Sequence, residues 1–167
     1  MRKLLSLFLF SILTASLSAQ IIDETIPKFG EKLLSMNKTS AQKEIVGRGF
    51  NLLSTDDMRA LGYTDEEIKL YLAGTGNYGI TCKIQCNENL KVSKVTITAQ
   101  YTNIRSMMNE CTKEGYELDE EQSTRGDFMY IKVDGKYLYF LQVLSQNTPT
   151  FCMATMIMSR IQPDYLK

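Results

Sequence analysis

The chain has 167 residues with nineteen basic and nineteen acidic side chains, and it contains no histidine and no tryptophan. Without histidine there is no Ser-His-Asp or Cys-His catalytic arrangement and no imidazole ligand for a metal. The neutral charge balance lacks the basic excess that neutralises phosphates, which disfavours nucleic acid as a partner. The sequence predicts no cofactor, no metal and no catalytic residue.

The N-terminal segment 1–19 has the pattern of a cleavable signal peptide. Its positive n-region, Arg2 and Lys3, precedes an apolar stretch at 4–17, and small residues end the segment at Ala19. An uncleaved membrane anchor is the alternative, but the apolar stretch is shorter than the roughly 20 residues that a membrane-spanning helix needs. We therefore expect a secreted or periplasmic protein with no membrane span after cleavage, and with a slightly acidic net charge.

The rest of the chain, 20–167, is expected to form one α+β domain. A domain of this size buries enough apolar surface to be stable without a metal or a disulfide. The spacing of apolar residues predicts three to four helices and a mostly antiparallel sheet of about five strands. In chain order, the predicted elements are helices at 25–36, 39–49 and 65–73, strands at 78–86 and 94–101, a helix at 104–114, and strands at 127–133, 136–144 and 150–158.

Three local patterns define their elements most clearly. Thr64 and Glu67 have the spacing of a capping box, which predicts that a helix begins there. Apolar and polar residues alternate over 78–86, as expected for a half-buried strand. Asp134-Gly135 lies between two strand-like stretches and predicts a two-residue hairpin loop.

A short pattern of helix, glycine, aromatic residue and leucine occurs twice. Its copies are Ser40, Glu44, Gly49, Phe50 and Leu52, and Ser106, Glu110, Gly115, Tyr116 and Leu118. One interpretation is a degenerate tandem helix-plus-sheet repeat with halves 39–101 and 105–160. The other, which the shortness of the match favours, is a generic connection in which a glycine ends a helix before a strand.

Four cysteines, Cys82, Cys86, Cys111 and Cys152, are disulfide candidates in an oxidising compartment. Cys82 and Cys86 share one predicted strand, where a rise of ~3.3 Å per residue puts their Cα atoms about 13 Å apart, too far for a disulfide. Cys82 would therefore pair with Cys111 and Cys86 with Cys152, or Cys82 with Cys152 and Cys86 with Cys111. Alternatively, all four are small buried hydrophobic side chains. A zinc site is disfavoured because no close paired spacing such as C-x2-C is present.

The predicted hairpin at 127–144 has one aliphatic face and one tyrosine-rich face. The aliphatic face, with Met129, Ile131, Val133, Leu138 and Phe140, is expected to be core. Tyrosine-rich surfaces favour recognition because they bury a large area at a low entropic cost. The sequence therefore predicts a binding surface made of Phe128, Tyr130, Lys132, Tyr137, Tyr139 and Leu141. The alternative is that a helix or the first half of the chain covers this face.

Other stretches give no catalytic or metal pattern. The acidic run at 117–121 has no calcium-loop spacing and is expected to be a solvated loop. No G-x-S-x-G elbow is present, and Gly74-Thr75-Gly76 lacks the context of a phosphate loop. The last predicted strand is apolar on both of its faces, so either the chain or a partner is expected to cover both sides of the sheet.

Three functions remain open at this point. The sequence favours a non-catalytic exported protein that binds a protein, a peptide or an envelope component through the tyrosine-rich face. A hydrolase or lyase that uses carboxylates and tyrosines is the second; a cleft that groups two acids of raised pKa with Tyr130 or Tyr139 would favour it over the binding protein. The third is a structural homodimer formed through the same face.

Overall fold

The computed structural model of the chain describes residues 24–147 and 150–164. The predicted signal segment, 1–19, lies outside the described residues. The helices of the described part are α1 (Ile26–Leu34), α2 (Lys38–Gly47), α3 (Thr55–Ala60), α4 (Asp65–Leu70) and α5 (Ile104–Lys113). Its strands are β1 (Asn51–Leu52), β2 (Tyr71–Thr75), β3 (Thr81–Cys86), β4 (Val92–Tyr101), β5 (Glu117–Thr124), β6 (Asp127–Asp134), β7 (Tyr137–Asn147) and β8 (Cys152–Ile161).

All eight strands belong to one antiparallel sheet with the order β1-β2-β3-β4-β8-β7-β6-β5. The central pair, β4 and β8, joins two antiparallel meanders into a continuous sheet. None of the helices in the described part is long and apolar enough to cross a membrane.

The predicted fold, an α+β domain with about five strands and, in one interpretation, a degenerate tandem repeat, is wrong. The sheet has eight strands and dominates the architecture. The residues of β2 were predicted as the end of a helix, and those of β5 as a solvated loop. Both predictions failed because each segment becomes a strand only through pairing with a neighbouring strand. The proposed halves also differ, since α3 and α4 lie in 39–101 and no helix of 105–160 corresponds to them.

The short pattern that occurs twice in the sequence is a helix-end motif. A glycine with positive φ follows the helix, and the amide of the next, aromatic residue donates a hydrogen bond to the carbonyl five residues earlier. This motif ends three helices, through Gly49 and Phe50, Gly62 and Tyr63, and Gly115 and Tyr116. Because it also occurs at α3, outside both copies of the pattern, the motif reflects how helices end in this protein and not a duplication.

The core lies on one face of the sheet, which we call the helix-covered face. Alternate residues of β4 and β8 are fully buried there, including Ile97 and Met156. Helix α1 crosses these two strands, and its apolar residues recur at helical spacing, with Phe29 and Leu33 fully buried. Helices α2 and α5 flank α1 and contribute to the same core.

Helix α1 approaches the sheet most closely at Gly30. A Cβ atom at this position would lie 1.9 Å from Cε of Met158, a fully buried side chain on β8. A side chain at this position would therefore have to displace the end of the Met158 side chain, which is enclosed in the core. Glycine is retained although it costs a helix interior about 1 kcal/mol relative to alanine.

The loop of the β6–β7 hairpin lies one residue later than the predicted Asp134-Gly135 loop, so each residue pairs with a partner two positions from the predicted one. Asp134 is opposite Tyr137, so Gly135 and Lys136 form the loop, and Tyr130 is opposite Leu141. Gly135 has φ +57° at the first loop position, where type II′ hairpins prefer glycine. A shift of two residues leaves every side chain on its predicted face, because side chains alternate with a period of two.

We expect Gly30→Ala to lower the free energy of unfolding by about 1 kcal/mol or more, because overpacking Met158 outweighs the gain in helix propensity. Gly47→Ala is the matched control, since a Cβ there meets no atom within 4 Å. In a Met158→Ala background, the Gly30→Ala change should become neutral or stabilising. Chemical denaturation of the four variants measures this coupling, and equal effects in both backgrounds would contradict the proposed clash.

Candidate functional site

The predicted tyrosine-rich surface belongs to the core. Its residues do share one face, but Tyr130 and Tyr139 are only 1% and 6% exposed, and Leu141 is fully buried. Leu141 is directly opposite Met158 of β8, so the helix-covered face continues from β8 into the hairpin. Phe128 and Tyr137 pack at its margin and are partly buried. The expectation of an exposed recognition surface is therefore wrong, and the alternative that helices cover this face describes the structure.

Lys132, the cation of the predicted surface, is paired inside the protein. Its Nζ lies 2.8 Å from Oε1 of Glu31 on α1, and both side chains are only 16% exposed. The ammonium also lies 5.4 Å and 6.0 Å from the ring centroids of Tyr116 and Tyr139. Lys132 therefore attaches the hairpin to α1 and is not available to a ligand.

The hydroxyl of Tyr130 does not reach the rim of the sheet. It is buried and has no hydrogen-bond partner among the described residues. Burial raises the pKa of Tyr130 to about 12. A phenol that stays neutral and enclosed in this way contributes mainly apolar area to the core.

Among the described residues, one carboxyl has a raised pKa, but it is not beside Tyr130 or Tyr139. Burial raises the pKa of Glu110 on α5 above its ordinary value. Its Oε1 accepts hydrogen bonds from the backbone N–H of Ile26 at 2.5 Å and from the hydroxyl of Tyr101 at 3.2 Å. This contact satisfies an otherwise unpaired amide in the first turn of α1, so the carboxylate joins two helices.

The four cysteines are free thiols, and all of them are buried. Cys82 and Cys86 lie on β3, Cys111 on α5 and Cys152 on β8. Burial raises the pKa values of Cys82 and Cys111 to about 12, so these thiols are not reactive at neutral pH. The predicted disulfides are absent from the structure, and the cysteines pack as small hydrophobic side chains. Within 24–147 and 150–164, no group of three His, Cys, Asp or Glu side chains is arranged to hold a metal.

The other side of the sheet is its exposed side. We call this side, across the six strands β3, β4, β8, β7, β6 and β5, the open face. Along β4 and β8, buried residues alternate with residues that keep solvent exposure, and the exposed set defines this face. It includes all five hairpin residues that were predicted to be core, and one of them, Val133, is 61% exposed; the five are Met129, Ile131, Val133, Leu138 and Phe140. The hairpin is apolar on both sides, so alternation identified the two faces but not which one the helices cover.

The open face has three zones across its strands. Lys83 on β3 and Lys94 on β4 form a basic zone, and Glu117 and Asp119 on β5 form an acidic zone. Between them lies an apolar strip made of Met129, Ile131, Val133, Leu138, Phe140, Leu144, Met153, Ile157 and Ile161. Neither lysine was predicted as a site residue from the sequence, although their alternation with buried residues of β3 and β4 indicates where they point.

The strand register places the two charged zones on one line. Directly opposite residues cross six strands in the order Lys83, Thr96, Ile157, Gln142, Met129 and Asp119. Charge therefore changes sign from one end of the open face to the other.

A shallow groove of about 270 Å³ marks the basic zone. Tyr71, Lys83, Gln85, Lys94 and Thr96 line it. The Nζ of Lys83 lies 4.8 Å from the ring centroids of both Tyr63 and Tyr71. These aromatic rings restrict the position of the lysine without neutralising its charge.

In comparisons with protein-family models, with curated proteins and with solved structures, nothing matches this chain.

Tyr139 and Phe140 are neighbours on β7 that point to opposite faces, so truncating each one tests the assignment of the faces. We expect Tyr139→Ala to lower the free energy of unfolding by about 3–5 kcal/mol, because it opens a cavity in the core. Phe140→Ala should cost less than half as much, since the open face is already in contact with water. Denaturation of dilute protein measures both, and a larger loss for Phe140→Ala would reverse the two faces.

The raised pKa of Glu110 predicts a pH dependence of stability. The folded protein holds the Glu110 proton more tightly than the unfolded chain does, so stability falls as the pH rises from the ordinary carboxyl pKa through the raised one. Glu110→Gln keeps the accepting oxygen and removes the buried charge. We expect this variant to be more stable than the wild type near pH 7 and equally stable near pH 4.

Thermal unfolding across this pH range tests the effect, with Glu88→Gln in the exposed β3–β4 turn as the control. Parallel pH profiles for the wild type and Glu110→Gln would show that Glu110 does not titrate in this range.

Proposed function

We propose that this protein is a non-catalytic, exported binding module and that the open face of its sheet is the binding surface. The observation that carries the proposal is the apolar strip on three adjacent strands, β6, β7 and β8, with no helix of the described part packed over it. Soluble proteins rarely leave a contiguous apolar patch of more than several hundred Å² without a partner.

The strip has the composition of an interface centre. Phe140 lies among Leu138 on its own strand, Ile131 on β6 and Ile161 on β8, and these side chains are partly or largely exposed. Interfaces typically have an apolar or aromatic centre with a polar and charged rim. The lysines and carboxylates at the two ends of the open face supply such a rim.

Binding is favoured over catalysis by the location of the titratable groups with raised pKa values. Glu110, Tyr101 and Tyr130 lie on the helix-covered side, where burial is the main cause of each shift. Glu110 and Tyr101 contact each other and the start of α1, so the hydrogen bonds of this carboxylate serve the packing of the helices. The export part of the proposal rests on the signal-like pattern of residues 1–19.

Site-specific photocrosslinking in the producing cell tests the binding surface. A benzophenone amino acid replaces Phe140 on the open face or, as a control, Val46, which is 50% exposed on α2. We expect a defined crosslinked adduct from position 140 and none from position 46. The intact mass of the recovered protein also shows whether residues 1–19 have been removed.

Two results would contradict the proposal. Absence of an adduct at position 140 in correctly folded protein would mean that the open face has no partner. Equal adducts at positions 140 and 46 would mean that the contacts are non-specific.

A further inference from the structure

We infer that the partner of the open face is a second copy of this chain, packed face to face about a twofold axis parallel to the strands and between β7 and β8. This inference rests on the proposed function, because it names the occupant of the surface proposed there. Its basis is the distribution of charge on the open face and the register of the strands.

Neither charged zone is neutralised by an ion pair within 4 Å: Lys83, Lys94, Glu117 and Asp119 form none with any described residue. Hydrogen bonds from Thr64 and the charge of Lys83 together lower the pKa of Glu67 on α4, so this carboxylate lies at the border of the basic zone. Lys83 is held between two tyrosine rings. Asp119 accepts a hydrogen bond from the backbone of Gln122 at 3.2 Å. The two zones are opposite in sign and lie at opposite ends of the same face.

A twofold axis along the strands brings these zones together. The line from Lys83 to Asp119 has its midpoint between Ile157 on β8 and Gln142 on β7. Rotation about an axis at this midpoint exchanges β3 with β5, β4 with β6 and β8 with β7. Lys83 of each copy then lies over Asp119 of the other, so one axis creates two equivalent ion pairs, as an isologous interface requires.

The neighbouring line of residues is compatible with the same axis. It runs through Gln85, Lys94, Ser159, Phe140, Ile131 and Glu117. Rotation places Lys94 over Ile131 of the second copy, one strand from Glu117, and adjacent strands are about 4.8 Å apart. A lysine side chain spans this distance, and Phe140 lies over Ser159, close to the axis.

The charge pattern selects this axis over the other in-plane axis. An axis perpendicular to the strands would place the basic zone of one copy over the basic zone of the other, and like charges facing each other destabilise an interface. With the axis along the strands, the two sheets run approximately parallel, as in aligned sheet packing, where the sheets lie about 10 Å apart.

Pairing through the edges of the sheet is disfavoured. One edge strand, β1, has only two residues, and the other, β5, carries Glu117, Asp119, Glu120 and Glu121. Short or charged edge strands prevent strand addition. Contact between open faces is the mode of association that the sheet leaves available.

Charge reversal tests the inference with two complementary variants. The first, Lys83→Glu with Lys94→Glu, makes both ends of the open face acidic, and the second, Glu117→Lys with Asp119→Lys, makes both ends basic. We expect the mature wild type to sediment as a dimer and each variant to lose self-association by at least about tenfold in Kd. An equimolar mixture of the two variants should form a heterodimer, which high salt weakens.

A matched control for the first variant carries the same change in net charge away from the open face. Lys28→Glu with Lys43→Glu alters exposed positions on α1 and α2 and should remain dimeric. Far-UV circular dichroism and thermal unfolding verify that all variants are folded.

The outcomes separate this inference from the proposed function. A monomeric wild type at high concentration, or a dimer that tolerates both reversals, overturns the inference. If the crosslink at position 140 joins a different protein, the open face still binds a partner and only the inference of a second copy fails. If position 140 gives no adduct and the wild type is monomeric, both fail.

Discussion

The packing of α1 on the central strands β4 and β8 determines the rest of the structure. The helix approaches the sheet closely at Gly30, where a side chain would displace the end of Met158. Two polar contacts hold the same helix: Glu110 of α5 accepts from the amide of Ile26, and Lys132 of β6 pairs with Glu31. Because α1 is fixed by a neighbouring helix, by the central strands and by the hairpin, only one face of the sheet becomes core, and the other face is left open.

Local patterns predicted those elements whose stability is local. The capping box of Thr64 and Glu67 is confirmed, and the alternation over 78–86 predicted β3, although the strand itself begins later, at Thr81–Cys86. Tyr71 and Leu72 continued the apolar pattern of α4, but the backbone becomes extended at Tyr71 because β2 pairs with β3. Strand β5 is acidic and was predicted as a loop, since its strand structure comes from pairing with β6.

The candidate site was predicted only in part, for a physical reason. Alternation with a period of two sorts the hairpin residues correctly into two sets, but both sets are apolar. The set that becomes core is decided by α1, about a hundred residues earlier in the chain, through contacts such as Glu31 with Lys132. Tyr130 and Tyr139 therefore enter the core although their hydroxyls are suited to a surface, whereas Phe140 remains on the open side.

Apolar area and charge have different roles on the open face. The strip around Phe140 and Ile157 favours burial against any apolar partner, because the hydrophobic effect has no direction. Charged zones at the ends of the sheet give orientation, since opposite signs must meet and like signs must not. The acidic residues of β5 serve both purposes: along the strand they oppose addition of another strand, and across the face Asp119 lies on the same line as Lys83. A sheet protected at its edge and complementary to itself on its face favours closed association over open-ended growth.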